Sequence, residues 1–339
     1  MARNLADVAK QAGVSEATVS RVLNGKPGIS DATRAAVLTA LDVIGYERPT
    51  HLRVRRARMV GLVVPELQNP IFPALAEVVG GALAQRGFNA VLCTRTGSMS
   101  EAEYVEMLLE RQVSGMVFAG GQYAEADAPH GHYLRLLELR LPVVLVNAAS
   151  EHLDFPRVST DDAVAVEQAF GHLISLGHER IGLILGPPDH MPSRRKQEAF
   201  ELAARRAGTA VPPEYVEHTM FSIEGGQVAA SRLLKQGVTG IVCASDPIAL
   251  GVVRAVRRAG LRVPQDVSVV GYDDSAFMNC TDPPLTTVRQ PLEAIGRAAV
   301  AMLVGQIDGI PVTAEELLFE PELVVRGSTG PAPANVPSA

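Results

Sequence analysis

The stretch LADVAKQAGVSEATVSRVLNG, residues 5–25, predicts two short helices joined by a tight turn. Gly13 suits the left-handed position that follows a helix end, and Ser15 suits the N-cap of the next helix. Apolar residues at spacings of three and four mark the inward faces: Leu5, Val8, Ala9 and Ala12 in the first helix, then Val19, Val22 and Leu23 in the second. Glu16, Ala17, Ser20 and Arg21 are left to face outward.

A third helix follows in ISDATRAAVLTALDVIGY, residues 29–46, with Ser30 as its cap and Gly45 at its end. Three helices within residues 1–47 predict a small all-α helix-turn-helix domain. The alternative is a helical cap that only packs on the rest of the chain. The exposed donors along the second helix, Thr18, Ser20, Arg21 and Asn24, favour a nucleic-acid interface, since a packing cap does not need them.

Charge separates this head from the rest of the chain. Residues 1–58 hold ten Lys or Arg and five Asp or Glu, so this segment is +5 and the remainder of a chain whose total is −6 is −11. Five of the arginines lie in RPTHLRVRRAR, residues 48–58, which contains no acid. A basic head on an acidic body indicates a polyanionic partner for the head alone. A plain solvated linker is the alternative interpretation of residues 48–58.

The body, residues 59–328, alternates strand-like apolar runs, from MVGLVV (59–64) to VSVVG (267–271), with helix-like stretches. This pattern predicts a two-lobed α/β domain with parallel sheets covered on both faces. DFPRVSTDDA, residues 154–163, is interpreted as the crossover between the lobes, and a ligand is expected in the cleft at the carboxyl ends of the strands. Residues 329–339, rich in Pro and Ala, are predicted to be disordered.

Other classes of protein find little support in the sequence. The widely spaced Cys93, Cys243 and Cys280 are interpreted as free thiols of a cytoplasmic protein. No apolar run of 18 residues occurs, so no membrane partner is expected. SRRK (193–196) is interpreted as a helix start, and HGH (130–132) as a polar loop rather than a metal site. Without GxGxxG or Walker A sequences no cofactor is expected. One enzyme alternative stays open, a sugar-processing α/β protein with an accessory helical domain.

The head sequences quoted above resemble the DNA-binding domain of the LacI/GalR family of bacterial transcription regulators. The resemblance implies that the second helix enters the major groove, where Glu16 and Ala17 select the operator sequence and Arg21 reaches a guanine edge. The positions carried over as DNA-binding are Leu5, Ser15, Glu16, Ala17, Thr18, Ser20, Arg21, Asn24, Arg53, Arg55 and Arg56.

The body is similar to the same family, whose effector domain is like the periplasmic sugar-binding proteins. The similarity lies in VGLVVPELQNPIFPAL (60–75), VSTDDAVA (158–165), SRRKQEAF (193–200) and the segment 241–275, which ends in VVGYDDS. It implies effector contacts from Asn69, Phe72, Asp161, Asp162, Arg194, Phe221, Asp246 and Asp273. It also implies a homodimeric repressor of carbohydrate-uptake or catabolic genes that binds a pseudo-palindromic double-stranded operator and a sugar-like effector. The tail lacks the Leu heptads of tetrameric relatives, so a dimer is expected.

The hinge, residues 48–58, departs from the family pattern. In the family this segment forms a short helix on DNA and inserts a leucine into the minor groove. Here Arg56 stands about where that leucine is expected, and Leu52 lies one turn too early. The sequence therefore predicts arginines in the minor groove or along the phosphates in place of an apolar wedge.

Overall fold

The computed structural model describes residues 5–23, 28–44, 58–95, 99–147 and 153–334. The chain divides into two compact units, Met1–Arg58 and Met59–Ala339. The helices are α1 (Leu5–Ala12), α2 (Glu16–Leu23), α3 (Asp31–Ile44), α4 (Ile71–Gln85), α5 (Glu101–Glu110), α6 (Gly131–Glu138), α7 (Asp162–Ser175), α8 (Met191–Ala207), α9 (Ile223–Lys235), α10 (Asp246–Arg258) and α11 (Leu292–Ile307). The strands are β1 (Arg58–Val64), β2 (Phe88–Thr94), β3 (Gly115–Ala119), β4 (Val143–Val146), β5 (Arg157–Thr160), β6 (Ile181–Leu185), β7 (Val216–His218), β8 (Gly240–Cys243), β9 (Ser268–Asp273), β10 (Thr286–Arg289), β11 (Glu316–Phe319) and β12 (Glu322–Val324).

The first unit is the helix-turn-helix that the apolar spacing predicts. Gly13 has a φ of 67°, and Val14 N–H donates to the Ala9 carbonyl across the end of α1. The Ser15 hydroxyl accepts from the Thr18 backbone N–H at 3.2 Å, which caps α2. Val8, Ala9, Val19, Val22, Leu23, Val37, Ala40 and Leu41 are buried together as one small core. The predicted domain end at residue 47 and the hinge residues 48–57 lie outside the described residues.

The second unit contains two six-stranded sheets, in the orders β11-β5-β4-β3-β1-β2 and β12-β10-β9-β8-β6-β7. Strand β10 pairs with β12 in antiparallel fashion at an edge, whereas the pairs β1–β3, β3–β4, β4–β5, β5–β11, β6–β7, β6–β8, β8–β9 and β9–β10 are parallel. Helices α4 and α11 pack on the first sheet and α7 and α8 on the second, so each lobe has its own buried core. The predicted two-lobed α/β architecture is confirmed.

The chain passes between the lobes at three places. Residue Asp161 joins β5 to α7, Gln290 and Pro291 join β10 to α11, and Glu320 and Pro321 join β11 to β12. The sequence predicted only the first of these, and it treated Arg157–Thr160 as connector although these residues form a strand. Strands β5, β7, β10, β11 and β12 have three or four residues each and at most three consecutive apolar residues, so their pattern is too short to reveal them.

The prediction of a disordered tail from residue 329 is wrong for residues 329–334. Ala332 N–H donates to the Leu176 carbonyl at 2.8 Å, and the Gly330 carbonyl accepts from the Ser268 hydroxyl at 3.1 Å. Composition indicated disorder, but these backbone groups find partners that are distant in sequence.

The three cysteines are free, with Cys93 and Cys243 buried and Cys280 exposed. Among the described residues, no helix combines the length and apolar character that crossing a bilayer requires.

Candidate functional site

The outward face of α2 presents a compact polar surface. Ser15, Glu16, Ala17 and Arg21 are exposed, whereas Val19, Val22 and Leu23 on the opposite face are buried. Thr18 and Ser20 are half-buried beside them. Because the first backbone N–H groups of a helix have no partners within the helix, the start of α2 also favours anions. Leu5 packs against the core, and Asn24, Arg53, Arg55 and Arg56 lie outside the described residues.

A cavity of about 590 Å³ lies between the two lobes of the second unit. It opens at the carboxyl ends of the strands, where Pro65 follows β1, Asn147 follows β4 and Ala244 follows β8. This is the place where parallel α/β sheets bind ligands, because the loops that follow the strands converge there. The cavity is within the range of about 300–1,000 Å³ typical of small-molecule sites.

Five of the eight predicted effector residues line the cavity: Asn69, Phe72, Asp162, Phe221 and Asp273. The other three have different surroundings. Asp161 caps α7 by accepting from Ala163 N–H at 3.0 Å and Val164 N–H at 3.1 Å. Asp246 is fully buried and accepts from the Thr287 hydroxyl at 2.6 Å and Ser275 N–H at 2.7 Å.

Arg194, the third, is exposed on α8, and Lys196 reaches the cavity in its place. The Lys196 ammonium lies 2.5 Å from Asp162 Oδ1 and 4.2 Å from the centre of the Tyr272 ring, while the Tyr272 hydroxyl donates to the same Asp162 oxygen at 3.1 Å. A signal for Lys196 was present in the sequence. The buried positions of α8 are Ser193, Lys196, Ala199, Phe200, Ala203 and Ala204, a stripe at helical spacing that includes residue 196 and omits 194.

Gln290 ties the two lobes together beneath the cavity. Its Oε1 accepts from Asn147 Nδ2 and from the Thr160 hydroxyl, both at 2.8 Å, and its Nε2 donates to Asp273 Oδ1 at 2.7 Å. Asn147 and Asp273 have φ values of 60° and 119°, which L side chains rarely adopt. The amide of Gln290 therefore holds two strained residues from different lobes at the cavity wall. Gln290 was not among the predicted site residues, because nothing local in the sequence distinguishes it.

Asp273 has one carboxylate oxygen free for a further bond. Oδ1 is taken by Gln290, whereas Oδ2 is buried and makes no hydrogen bond to the described residues. Burial, followed by the neighbouring Asp246 carboxylate, raises the pKa of Asp273 well above its usual 3.8. Burial likewise raises the pKa of Asp246 to about 6. Such a group gains most from a ligand hydroxyl that satisfies it.

The cavity wall is rich in carboxylates. Glu66, Glu101, Glu125, Asp162, Asp189 and Asp273 line it, against the cations Arg95 and Lys196. Both cations are already paired, Arg95 with Glu125 at 3.7 Å and Lys196 with Asp162. An anionic ligand would have to overcome this field, whereas carboxylates, amides and the rings of Phe72 and Phe221 suit the hydroxyls and C–H faces of a neutral polyol.

Burial of His190 at the cavity wall makes stability depend on pH. Burial, followed by the charge of Lys196, lowers the pKa of His190 to about 4 despite the opposing charges of Asp189 and Asp162. The unfolded chain takes up this proton as the pH falls through 6.5, so stability contributed by neutral His190 is lost between pH 6.5 and about 4. Between pH 7 and pH 5 the unmodified protein should lose about 2 kcal/mol more of its free energy of unfolding than His190→Gln does. This value follows from about 1.4 kcal/mol for each unit by which a pKa differs between the folded and unfolded chain. Urea unfolding at both pH values measures this difference. Equal pH dependence in the two proteins would contradict it, since Asp246 and Asp273 titrate in both.

Both units are similar to domains of known proteins, and the relatives that match the whole chain contain both. Residues 4–49 match the model of bacterial regulatory proteins, lacI family, and residues 170–329 match the periplasmic binding protein-like domain. The chain is 53% identical to the HTH-type transcriptional regulator reg1 of Streptomyces lividans and 52% identical to the HTH-type transcriptional regulator MalR of Streptomyces coelicolor, with 98% of each chain covered in both alignments. The chain belongs to the LacI family.

The LacI-family resemblance that the sequence predicted is thereby confirmed, and the chain is a DNA-binding transcriptional regulator. Among solved structures, the transcriptional regulator CelR in complex with cellobiose is similar, with a TM-score of 0.74 and 33% identity over 96% of this chain and all of that one. The lac repressor dimer bound to operator and the anti-inducer ONPF has a TM-score of 0.73 and 27% identity, over 97% of this chain and all of that one.

Proposed function

We propose that the chain is a homodimeric repressor of genes for carbohydrate uptake or catabolism, and that an uncharged sugar in the interlobe cavity controls its affinity for operator DNA. The cavity carries the proposal, because it combines the paired cations, the unsatisfied Asp273 and two aromatic rings in one space. The cellobiose bound to a relative with 33% identity supports a sugar in particular. A regulator of this kind acts in the bacterial cytoplasm, where the chromosome lies.

The head domain supplies the DNA contacts in this proposal. Arg21 and the start of α2, with Glu16 and Ala17, read the major groove, and Arg53, Arg55 and Arg56 add contacts to phosphates or the minor groove. Two heads in a dimer read two half-sites, so the operator is a pseudo-palindrome. The lac repressor structure, a dimer on its operator, supports this arrangement.

The effector changes DNA affinity by favouring one arrangement of the lobes. A sugar that contacts both lobes stabilises the closed cavity, and we propose that the closed form presents the two heads at a spacing that fits the operator poorly. The size of the effect is limited by the difference in the sugar's affinity for the two forms. An enzymatic role is not favoured. Of the two most perturbed carboxylates, Asp246 is fully buried and accepts from Ser275 N–H and the Thr287 hydroxyl, so it cannot act with Asp273 as an acid–base pair on a ligand.

A gel-shift titration of the full chain on the operator beside its own gene tests the proposal. The panel contains glucose and its α-1,4 and β-1,4 oligomers, with glucose 6-phosphate as the matched anionic control. We expect at least one neutral sugar to lower operator affinity and the phosphate ester to have no effect. Unchanged operator affinity with every neutral sugar, or a response to the phosphate ester alone, would show that the effector assignment is wrong.

Lys196, rather than Arg194, is expected to contact this effector. Replacing Lys196 by Gln removes the charge at the cavity wall and should raise the Kd of the effector about tenfold or more, the usual worth of a hydrogen bond to a charged group. Arg194→Gln is the matched control on the same helix and should leave the Kd unchanged. Isothermal titration of both variants decides between the two residues. A larger loss of effector affinity in Arg194→Gln than in Lys196→Gln would show that Arg194 contacts the effector, as the family resemblance implied.

A further inference from the structure

The two lobes touch a second time, away from their three covalent crossovers. Glu125 of the first lobe and His190 of the second form an isolated antiparallel β-bridge, and Ala126 N–H donates to the Asp189 carbonyl at 3.0 Å. Glu125, Asp189 and His190 also line the cavity. We call this contact, between residues 125–126 and 189–190, the latch.

The strand orders place the latch opposite the crossovers. The crossovers leave from β5, β10, β11 and β12, which lie at one side of the two sheets. The latch segments follow β3 and β6, which lie toward the other side. A ligand in the cavity is therefore enclosed by covalent connections on one side and by two backbone segments on the other.

The latch segment of the first lobe is rigidly attached to that lobe. Buried Glu101 accepts from Gln122 N–H at 3.3 Å, from the Tyr133 hydroxyl and from His132 Nε2, which lies at 3.1 Å. The hydroxyl of Tyr133 in turn accepts from Tyr123 N–H at 3.1 Å. The HGH sequence is thus not the polar loop that we predicted, because His132 is buried in α6 as part of this network. Because these hydrogen bonds anchor Gln122 and Tyr123, directly before the latch residues, we expect the latch to open and close together with the lobes.

The second half of the latch is equally fixed. His190 precedes α8, and its carbonyl accepts from Ser193 N–H at 2.9 Å. The imidazole packs edge-on against Phe221, with 5.6 Å between ring centres. On the other side, Arg95 lies 3.7 Å from the Glu125 carboxylate. The latch is therefore a contact between two preformed edges, with no room for a chain to pass between Glu125 and His190 while they are paired.

We propose that the latch selects the length of the effector: a short neutral oligosaccharide enclosed whole allows Glu125 and His190 to pair, and a longer chain holds them apart. A linear sugar of about two or three rings is of a size that a cavity of about 590 Å³ can enclose. A longer sugar must leave through the mouth and separate the two edges. This inference rests on the proposed sugar effector, and it adds the requirement that only short chains close the lobes and alter DNA binding.

An engineered disulfide measures latch closure directly. Residues paired across antiparallel strands have Cα atoms about 4.5–5.5 Å apart, within the about 4.4–6.8 Å that disulfides span. The full-length double variant Glu125→Cys/His190→Cys is made with Cys280→Ser, because Cys280 is the exposed natural thiol among the described residues. Each single-cysteine variant is the control for intermolecular crosslinks. Oxidised glutathione at a fixed concentration accepts the two electrons in every sample, and mass spectrometry after alkylation follows the rate of disulfide formation with the α-1,4 and β-1,4 glucose oligomers of one to six units.

We expect the disulfide to form in the free protein and to form at least about tenfold faster with a bound dimer or trimer, within the usual range of about 5- to 150-fold for coupling. The hexamer of the same linkage should slow it below the rate of the free protein. Failure of the disulfide to form in any sample would overturn the latch. Equal acceleration by the hexamer would overturn the length selection. If thermal shifts of the unmodified chain show that no sugar binds, the proposed sugar effector is wrong and the length selection is wrong with it. A disulfide that still forms in the free protein would then show that the latch contact exists and that only the proposed class of ligand is wrong.

Discussion

Arg21→Ala is expected to abolish most of the preference of the chain for its operator over an unrelated duplex. Arg21 is exposed on α2, one turn beyond Ala17. Both lie on the face of the helix opposite the buried Val19 and Val22. A guanidinium that pairs with a guanine edge contributes about 10- to 100-fold in discrimination against the wrong base. We therefore expect operator affinity to fall by that factor while affinity for random DNA changes little. Competition gel shifts with the two duplexes measure the ratio.

Arg55→Ala in the hinge is the informative comparison. A contact to phosphates carries no sequence information, so this variant should weaken binding to both duplexes alike and make the salt dependence shallower by about one unit of slope. Lys10→Ala, an exposed cation on α1, controls for the loss of charge alone. The division of roles between α2 and the hinge would be refuted by equal loss of specificity in Arg21→Ala and Arg55→Ala.

Asp273→Ala is expected to produce a repressor that binds its operator but responds only to a much higher concentration of effector. The side chain is 5% exposed, and its Oδ2 has no partner among the described residues, so a ligand hydroxyl at this oxygen replaces a missing interaction. Hydrogen bonds to such groups are worth about 1.5–3 kcal/mol, which corresponds to an increase of about 10- to 100-fold in effector Kd. Titration calorimetry with the sugar found in the gel-shift panel measures this change.

The substitution also leaves Gln290 Nε2 without its Asp273 partner, so Asp273→Asn is the companion variant that keeps this amide contact. We expect Asp273→Asn to unfold at a temperature close to that of the unmodified chain and to bind effector with intermediate affinity. Asp154→Ala, an exposed aspartate that does not line the cavity, is the matched control. Wild-type effector affinity in Asp273→Ala would remove Asp273 from the binding site.

The sequence predicted those elements whose signal is local. Helices α1 to α3 follow from apolar spacing, a left-handed glycine and serine caps, each of which acts within a few residues. The apolar strands of the sheet centres follow from continuous buried runs. The five short strands do not, because three or four residues of mixed polarity become strands only when neighbouring strands provide their hydrogen bonds.

The sequence predicted most of the residues that line the cavity, but not which position of α8 supplies the cation. Asn69, Phe72, Asp162, Phe221 and Asp273 reached it as the family pattern implied. The choice between Arg194 and Lys196 depended on which face of α8 is buried, and that is set by packing against α7 and β6. Family spacing placed the cation two residues too early, whereas the buried stripe of the helix would have placed it correctly.

By itself the sequence determined a basic helix-turn-helix head, an acidic two-lobed α/β body and the family to which both belong, since each is encoded by neighbouring residues or by extended motifs. Only the tertiary structure decided the rest. Gln290 joins Asn147 to Asp273 across more than a hundred residues, the tail is held by Leu176, and Glu125 meets His190 across the cavity. The contacts of Gln290, and of Glu125 with His190, arise where the two lobes face one another, whereas the tail contact lies within the second lobe. Hydrogen bonds between such distant residues leave no periodic trace in the chain.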